Sequence, residues 1–113
     1  MEELNIYMTK KAKSVNVLGT EYSINYATAE EDKDLEKLSG YCMTSQKRIV
    51  IEKKKEEPYI EKWILRHEII HAFLHESGLE KEASWADDEE LLVDWIALQF
   101  PKMLKAFQDS QAL

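Results

Sequence analysis

The sequence has few cysteine, glycine and proline residues. Its 113 residues include one cysteine, three glycines and two prolines. A single cysteine excludes an internal disulfide and a cysteine-rich zinc site, and it is typical of a reducing compartment. We find no internal repeat and no low-complexity segment. The length therefore suits one compact domain over residues 1–113.

Basic residues and long apolar runs are also scarce. The chain has 15 Lys and Arg against 22 Asp and Glu, for a formal net charge of −7. Such a chain lacks the basic footprint of a nucleic-acid binder and is poorly suited to an anionic membrane surface. The first residues contain no apolar run, so we expect no secretory signal. No apolar run approaches the roughly 18 residues of a membrane span, so we expect a cytoplasmic protein that binds neither membrane nor nucleic acid.

Apolar residues are nevertheless numerous enough for a core, at 44% of the chain. Alternating patterns in the first half predict strands joined into two hairpins, with loops between them. In the first hairpin, Tyr22, Ile24 and Tyr26 should share one face. Residues 29–37 predict a loop or a short helical turn, and the charged residues 52–57 predict a solvated loop. The predicted strands are residues 4–8, 15–18, 22–26, 41–44 and 48–51.

The second half predicts two helices. The first should begin near Pro58 and have Gly78 at its C-terminal cap. It is apolar almost all round, which is typical of a buried central helix. The second should span about residues 87–107, with a kink at Pro101. The expected fold class is α+β, with a small, mostly antiparallel sheet packed on two helices.

The first of these helices contains the sequence His67-Glu68-Ile69-Ile70-His71. Two histidines four residues apart project from one helix face, so both can reach a single metal ion. Glu68 follows the first histidine and can hold a water beside the ion without binding the metal itself. The alternative is a pair of ordinary core or surface histidines. We favour the metal site, because such polar residues would be costly without a partner in the most apolar stretch of the chain.

The second helix offers a third ligand. Glu90 and Asp94 are four residues apart and share a face, so Glu90 can bind zinc while Asp94 accepts the outer N–H of a ligating histidine. Three neighbours compete with Glu90 for the ligand role: Asp87, Asp88 and Glu89. None of the three has a carboxylate four residues later. We interpret them as acidic residues in the first turn of a helix.

The combined motif, H-E-x-x-H followed by E-x-x-x-D, resembles the gluzincin signature of thermolysin-like zinc peptidases. The short chain is similar to the single-domain minigluzincins. It also resembles the ImmA/IrrE family, many of whose members are linked to phages or mobile elements. The resemblance covers about residues 39–103 and lacks a helix-turn-helix partner domain, so repressor regulation does not follow. The matching segments are residues 40–41, 48–51, 65–75 and 90–101.

A related motif with a third histidine does not match, because Leu74 and Ser77 occupy its glycine and histidine positions.

The resemblance implies a zincin-like fold and a zinc-dependent metallopeptidase that hydrolyses peptide bonds in a protein or peptide substrate. It implies that Glu68 is the general base and that Asp94 supports a ligating histidine. It also implies that residues 41–44 form an edge strand that pairs with substrate. The implied zinc ligands are His67, His71 and Glu90.

Other prominent residues have less definite roles. His75 is either a donor to the reaction's oxyanion or a histidine at the end of a helix. Arg66 and Tyr59 remain open, and we expect Cys42 to be a small buried residue. We expect three tryptophans in the core: Trp63, Trp85 and Trp95.

Two other functions compete with the peptidase. The chain is short for a peptidase with a walled cleft, so it could be a zinc-containing protein-binding or regulatory module with little proteolytic activity. It could also be a small regulatory protein with a vestigial site. The sequence does not predict an oligomeric state.

Overall fold

A computed structural model describes residues 11–78 and 89–112. Within them the fold is α+β, as predicted, with a four-stranded sheet and two helices. The predicted strand over residues 4–8 lies outside the described residues. The elements are β1 (Ser14–Val17), β2 (Thr20–Ala27), β3 (Gly40–Met43), β4 (Arg48–Glu52), α1 (Pro58–Glu76) and α2 (Glu89–Asp109).

Both predicted hairpins are confirmed. Strands β1 and β2 pair antiparallel, and so do β3 and β4. The first turn centres on Leu18 and Gly19, and both have positive φ. The second hairpin turns through a short 3₁₀ segment, Thr44–Gln46, and then Lys47 in the left-handed region. A further 3₁₀ turn, Lys33–Glu36, lies inside the predicted loop over residues 29–37.

The two hairpins join through a parallel pair at the centre of the sheet. The strand order is β1-β2-β4-β3, and β2 runs parallel to β4 with Ile24 opposite Ile49. The sheet is therefore mixed, rather than simply a stack of antiparallel hairpins. This order leaves β1 and β3 at the two edges.

Helix α1 covers one face of this sheet. It begins at Pro58, as predicted, and Gly78 follows its last turn with a φ of 81°. Each fully buried aliphatic side chain of the shared core contributes roughly 1.5–3 kcal/mol through removal of apolar surface from water. The core cluster consists of Val17, Tyr22, Ile49, Ile51, Ile64 and Ala72.

Helix α2 packs mainly on α1, whereas the sequence predicts a sheet that packs on both helices. Its contact face includes Val93 and Ala97, both fully buried. The helix continues through Pro101. In the described segments, neither helix combines the length and apolar character needed to cross a membrane.

The prediction of core tryptophans is wrong for the two that the structure describes. Trp95 is 54% exposed on α2, and Trp63 is 37% exposed on α1. Apolar periodicity identifies a helix face but does not distinguish a core from a cleft wall or an open surface. Trp85 lies outside the described residues.

The end of α1 is joined to both hairpin turns through one carboxylate. Glu76 accepts hydrogen bonds from Thr20 Oγ1 at 3.1 Å, Tyr22 Oη at 2.7 Å and Lys47 Nζ at 2.8 Å. The lysine, with help from the two hydroxyls, lowers the pKa of Glu76 to about 2. The carboxylate is therefore held in its charged form by the folded structure.

Candidate metal centre

The two histidines of the motif face the N-terminal part of α2 across a cleft. The cleft has a volume of about 580 Å³, and α1, α2 and the edge strand β3 contribute to its walls. His67, Glu68 and His71 line it from α1, since a spacing of three or four residues keeps side chains on one helix face. Glu90 and Asp94 line it from α2. The five predicted site residues therefore lie around one cavity.

Nitrogen and oxygen atoms of three side chains converge in this cleft. The Nε2 atoms of His67 and His71 are 3.2 Å apart. The carboxylate of Glu90 reaches both, with Oε2 at 3.2 Å from the first and Oε1 at 2.6 Å from the second. These three residues form a group that could hold a metal ion.

Each histidine is held through its outer nitrogen by a carboxylate of α2. Nδ1 of His67 lies 2.7 Å from Oδ1 of Asp94, as the sequence predicts. Nδ1 of His71 lies 2.8 Å from Oε2 of Glu89. An ionised carboxylate only accepts hydrogen bonds, so both Nδ1 atoms carry the proton. In neutral imidazoles this leaves both Nε2 atoms as acceptors.

The types of these donor atoms and the distances between them can be compared with those of a metal site. With both imidazoles neutral, two Nε2 lone pairs and a carboxylate would face one another, so a metal cation or additional protons would be needed to balance them. Donor atoms bound to a tetrahedral zinc ion lie about 3.3 Å apart, given bond lengths of about 2.0–2.1 Å. The separation of 3.2 Å between the imidazole nitrogens matches that value, as does the 3.2 Å from Glu90 Oε2 to Nε2 of His67. The 2.6 Å from Glu90 Oε1 to Nε2 of His71, in contrast, is shorter and is a hydrogen-bonding distance. The donor set of two imidazoles and one carboxylate is also one that zinc accepts in catalytic sites.

Glu68 lies beside this group but outside it. Its Oε2 is 3.9 Å from Nε2 of His67, and the residue is only 6% exposed. Burial raises the pKa of Glu68 to about 7, with Glu90 and Asp94 adding to the shift and His67 opposing it. A buried carboxyl with a raised pKa at the wall of a cleft is typical of a group that exchanges protons.

Among the residues that the structure describes, β3 is an edge strand, and it forms another wall of the cleft. Glu52 N donates to Ser39 O, and in an antiparallel ladder the bonded pairs alternate. The backbone groups of Tyr41 therefore face β4, whereas those of Gly40 and Cys42 face away from the sheet. Both of these residues line the cleft.

Gly40 allows β3 to approach α1 closely. A Cβ atom at this position would lie 2.8 Å from Cγ2 of Ile64 and 3.0 Å from the carbonyl oxygen of Val50. The absence of a side chain thus brings the edge of the sheet next to the helix that carries the two histidines.

The structure shows where the residues whose roles the sequence leaves open are placed. Arg66 Nε donates to the carbonyl of Ala97 at 2.9 Å and so joins α1 to α2. Tyr59 is exposed and its hydroxyl lies 3.4 Å from Glu57. His75 does not line the cleft, whereas the partly buried Cys42 does.

Glu89 is the residue whose placement sequence reasoning missed. Glu89 lies in the first turn of α2, as the sequence predicts, but its carboxylate also contacts His71. A signal was available, because Glu89 lies four residues before Val93 and eight before Ala97, on the buried face of α2. An acidic residue on an apolar face indicates a partner on the facing element. Asp87 and Asp88 lie outside the described residues.

Comparison with known proteins does not identify a relative. No protein-family model, no curated protein and no solved structure matches the chain.

Proposed function

We propose that this chain is a zinc-dependent metallopeptidase with a zincin-like fold, of the gluzincin type and similar to the ImmA/IrrE family. The observation that carries the proposal is the convergence of two imidazole Nε2 atoms and one carboxylate, with both outer nitrogens held by carboxylates. In this proposal His67, His71 and Glu90 hold the zinc ion. A purely structural site would not require Glu68 beside it.

In the proposed peptide hydrolysis, the zinc ion and the side chains of the protein have different roles. A bound zinc ion lowers the pKa of a water molecule and polarises the carbonyl of the bond that is cut. Glu68 accepts a proton from the attacking water and transfers it to the leaving amine nitrogen. Asp94 and Glu89 fix the orientation of the two imidazoles, so that both Nε2 atoms point to the same position.

The substrate in this proposal is an extended segment of a protein or peptide. The outward backbone groups of Gly40 can pair with such a segment, as an edge strand does in strand addition. A segment paired there lies in the same cleft as Glu68 and the two histidines. The edge thus presents the main chain of the substrate to the proposed catalytic group.

The first experiment measures metal content by elemental analysis of wild type and Glu90→Ala, both prepared without added metal. We expect about one zinc ion per chain in the wild type and a marked loss in the variant. Asp109→Asn, a change at the far end of the same helix, should retain the metal. A wild-type protein that contains no zinc and takes up none on titration would refute the proposal.

The second experiment tests hydrolysis. Wild type, Glu68→Gln and Asp109→Asn are incubated with unfolded casein, and the products are identified by mass spectrometry. We expect Glu68→Gln to keep its zinc and to lower kcat/KM by roughly 10²–10⁴-fold, the usual contribution of a general base. Zinc binding without cleavage in the wild type would instead favour a protein-binding or regulatory module.

A further inference from the structure

Pro101 lies inside α2 and removes one hydrogen bond from the helix. Proline has no backbone N–H, so the carbonyl four residues earlier loses its partner within the helix. That carbonyl belongs to Ala97, which is fully buried against α1. Water cannot easily replace the lost donor at a buried position, and an unpaired buried carbonyl destabilises the folded state.

A side chain from α1 supplies the missing donor. Nε of Arg66 lies 2.9 Å from the carbonyl oxygen of Ala97. Hydrogen bonds from a charged donor are stronger than those between neutral groups. This hydrogen bond therefore joins the two helices. Its acceptor is the one carbonyl of α2 that loses its helical donor to a proline.

The hydrogen bond between Arg66 and Ala97 lies next to the candidate metal centre. Arg66 is adjacent to His67, and Ala97 is three residues after Asp94, whose carboxylate contacts that histidine at 2.7 Å. A shift of α2 by one turn would move its residues by about 5.4 Å along the helix axis. Such a shift would break both the Arg66–Ala97 hydrogen bond and the His67–Asp94 contact. The two contacts therefore depend on the same position of α2 along α1.

We propose that Arg66 is a positioning residue. It binds the carbonyl that Pro101 leaves unpaired and thereby fixes the register of α2 against the two histidines. The effect on zinc rests on the proposed function, whereas the effect on the register of the two helices does not.

A double-mutant cycle tests this proposal. The proteins are wild type, Arg66→Met, Pro101→Ala and the double variant. In Pro101→Ala, residue 101 regains an N–H that can bind the Ala97 carbonyl within α2. We measure the zinc dissociation constant by chelator competition, the visible absorption spectrum with Co²⁺ in place of zinc, and the melting temperature without metal.

We expect Arg66→Met to weaken zinc binding about tenfold in the wild-type background, as loss of groups that support a metal ligand does. It should also alter the Co²⁺ spectrum and lower the melting temperature by roughly 5 °C. In the Pro101→Ala background these effects should largely disappear. Arg66→Lys, which keeps a charged donor on a long stem, should restore most of the zinc affinity and serves if Arg66→Met does not fold.

Lys62→Met is the matched control, because it removes an exposed positive charge from the same helix. It should leave all three measurements unchanged. Equal effects of Arg66→Met in both backgrounds would overturn the proposal, as would a lower melting temperature with unchanged zinc affinity and Co²⁺ spectrum. If the wild type binds no zinc, the proposed function fails, and the melting temperatures alone then decide whether Arg66 and Pro101 are coupled.

Discussion

At the scale of single residues, the carboxylates of α2 divide into two kinds. Glu90 faces the two Nε2 atoms, whereas Glu89 and Asp94 face the outer nitrogens. A carboxylate on the outer nitrogen raises the basicity of an imidazole and fixes which nitrogen carries the proton. Both histidines are therefore held in a fixed orientation by carboxylates of α2.

Glu89→Gln should weaken zinc binding by about tenfold, since the amide still accepts a hydrogen bond from His71 but has no charge. The measurement is the zinc dissociation constant from competition with a chelator of known affinity. Asp94→Asn should give a loss of similar size at the other histidine. An unchanged constant for Glu89→Gln alone would show that its contact with His71 does not contribute to binding.

The candidate site was largely predictable because helical spacing determines it locally. The spacing of His67, Glu68 and His71 fixes their common face, and Glu90 and Asp94 follow the same rule on the next helix. The same rule did not identify Glu89, because no carboxylate follows it four residues later. Its spacing from Val93 and Ala97 places it on the buried face of α2, but its contact with His71 depends on how α2 is rotated against α1, which no local spacing specifies.

At the scale of elements, Gly40 determines how closely β3 approaches α1. Its φ is not in the left-handed region, so alanine fits the backbone but not the space. The nearest obstacles belong to Ile64 on the helix and to β4 behind the strand. Any side chain here must displace the edge strand or the helix.

Gly40→Ala should destabilise the protein by about 1–3 kcal/mol, the usual effect of an extra methyl group in a packed site. Chemical denaturation measures this free energy of unfolding. The effect should be smaller in an Ile64→Ala background, where Cγ2 is missing. Purely additive effects of the two substitutions would contradict this explanation.

The predicted elements were accurate where local signals define them. Alternation and a turn specify each hairpin, and Pro58 and Gly78 bound α1. The parallel pairing of Ile24 with Ile49 has no such signal, because it joins two strands that no tight turn connects. The shared metal site predicts that α2 faces α1, but nothing local predicts that α2 packs mainly on α1 and little on the sheet, since an apolar face does not identify the surface that covers it.

At the scale of the whole molecule, Glu76 connects the end of α1 with both hairpins. Its pKa is about 2 in the folded protein, against an ordinary value of 4.5. A lowered pKa stabilises the fold fully above the unfolded value, and this contribution is lost as the pH falls towards the folded value. The connection should therefore be strongest at neutral pH.

Glu76→Gln should lower the melting temperature at pH 7, and the difference from wild type should shrink between about pH 4.5 and pH 2. Thermal unfolding across this pH range measures the effect. Glu36→Gln, which removes an exposed carboxylate, is the control and should show a much smaller difference. A difference in melting temperature between Glu76→Gln and wild type that stays constant down to pH 2 would contradict the role assigned to the charge of Glu76.

The shortness of β3 has a consequence for aggregation. An open sheet edge invites pairing with other copies of the chain, and natural proteins limit this hazard with short edge strands and nearby lysines. Strand β3 has only four residues, follows the exposed Lys37 and ends at a 3₁₀ turn. Such an edge limits the backbone groups available to seed a growing intermolecular sheet, and in the proposed function the same few groups would pair with one extended substrate.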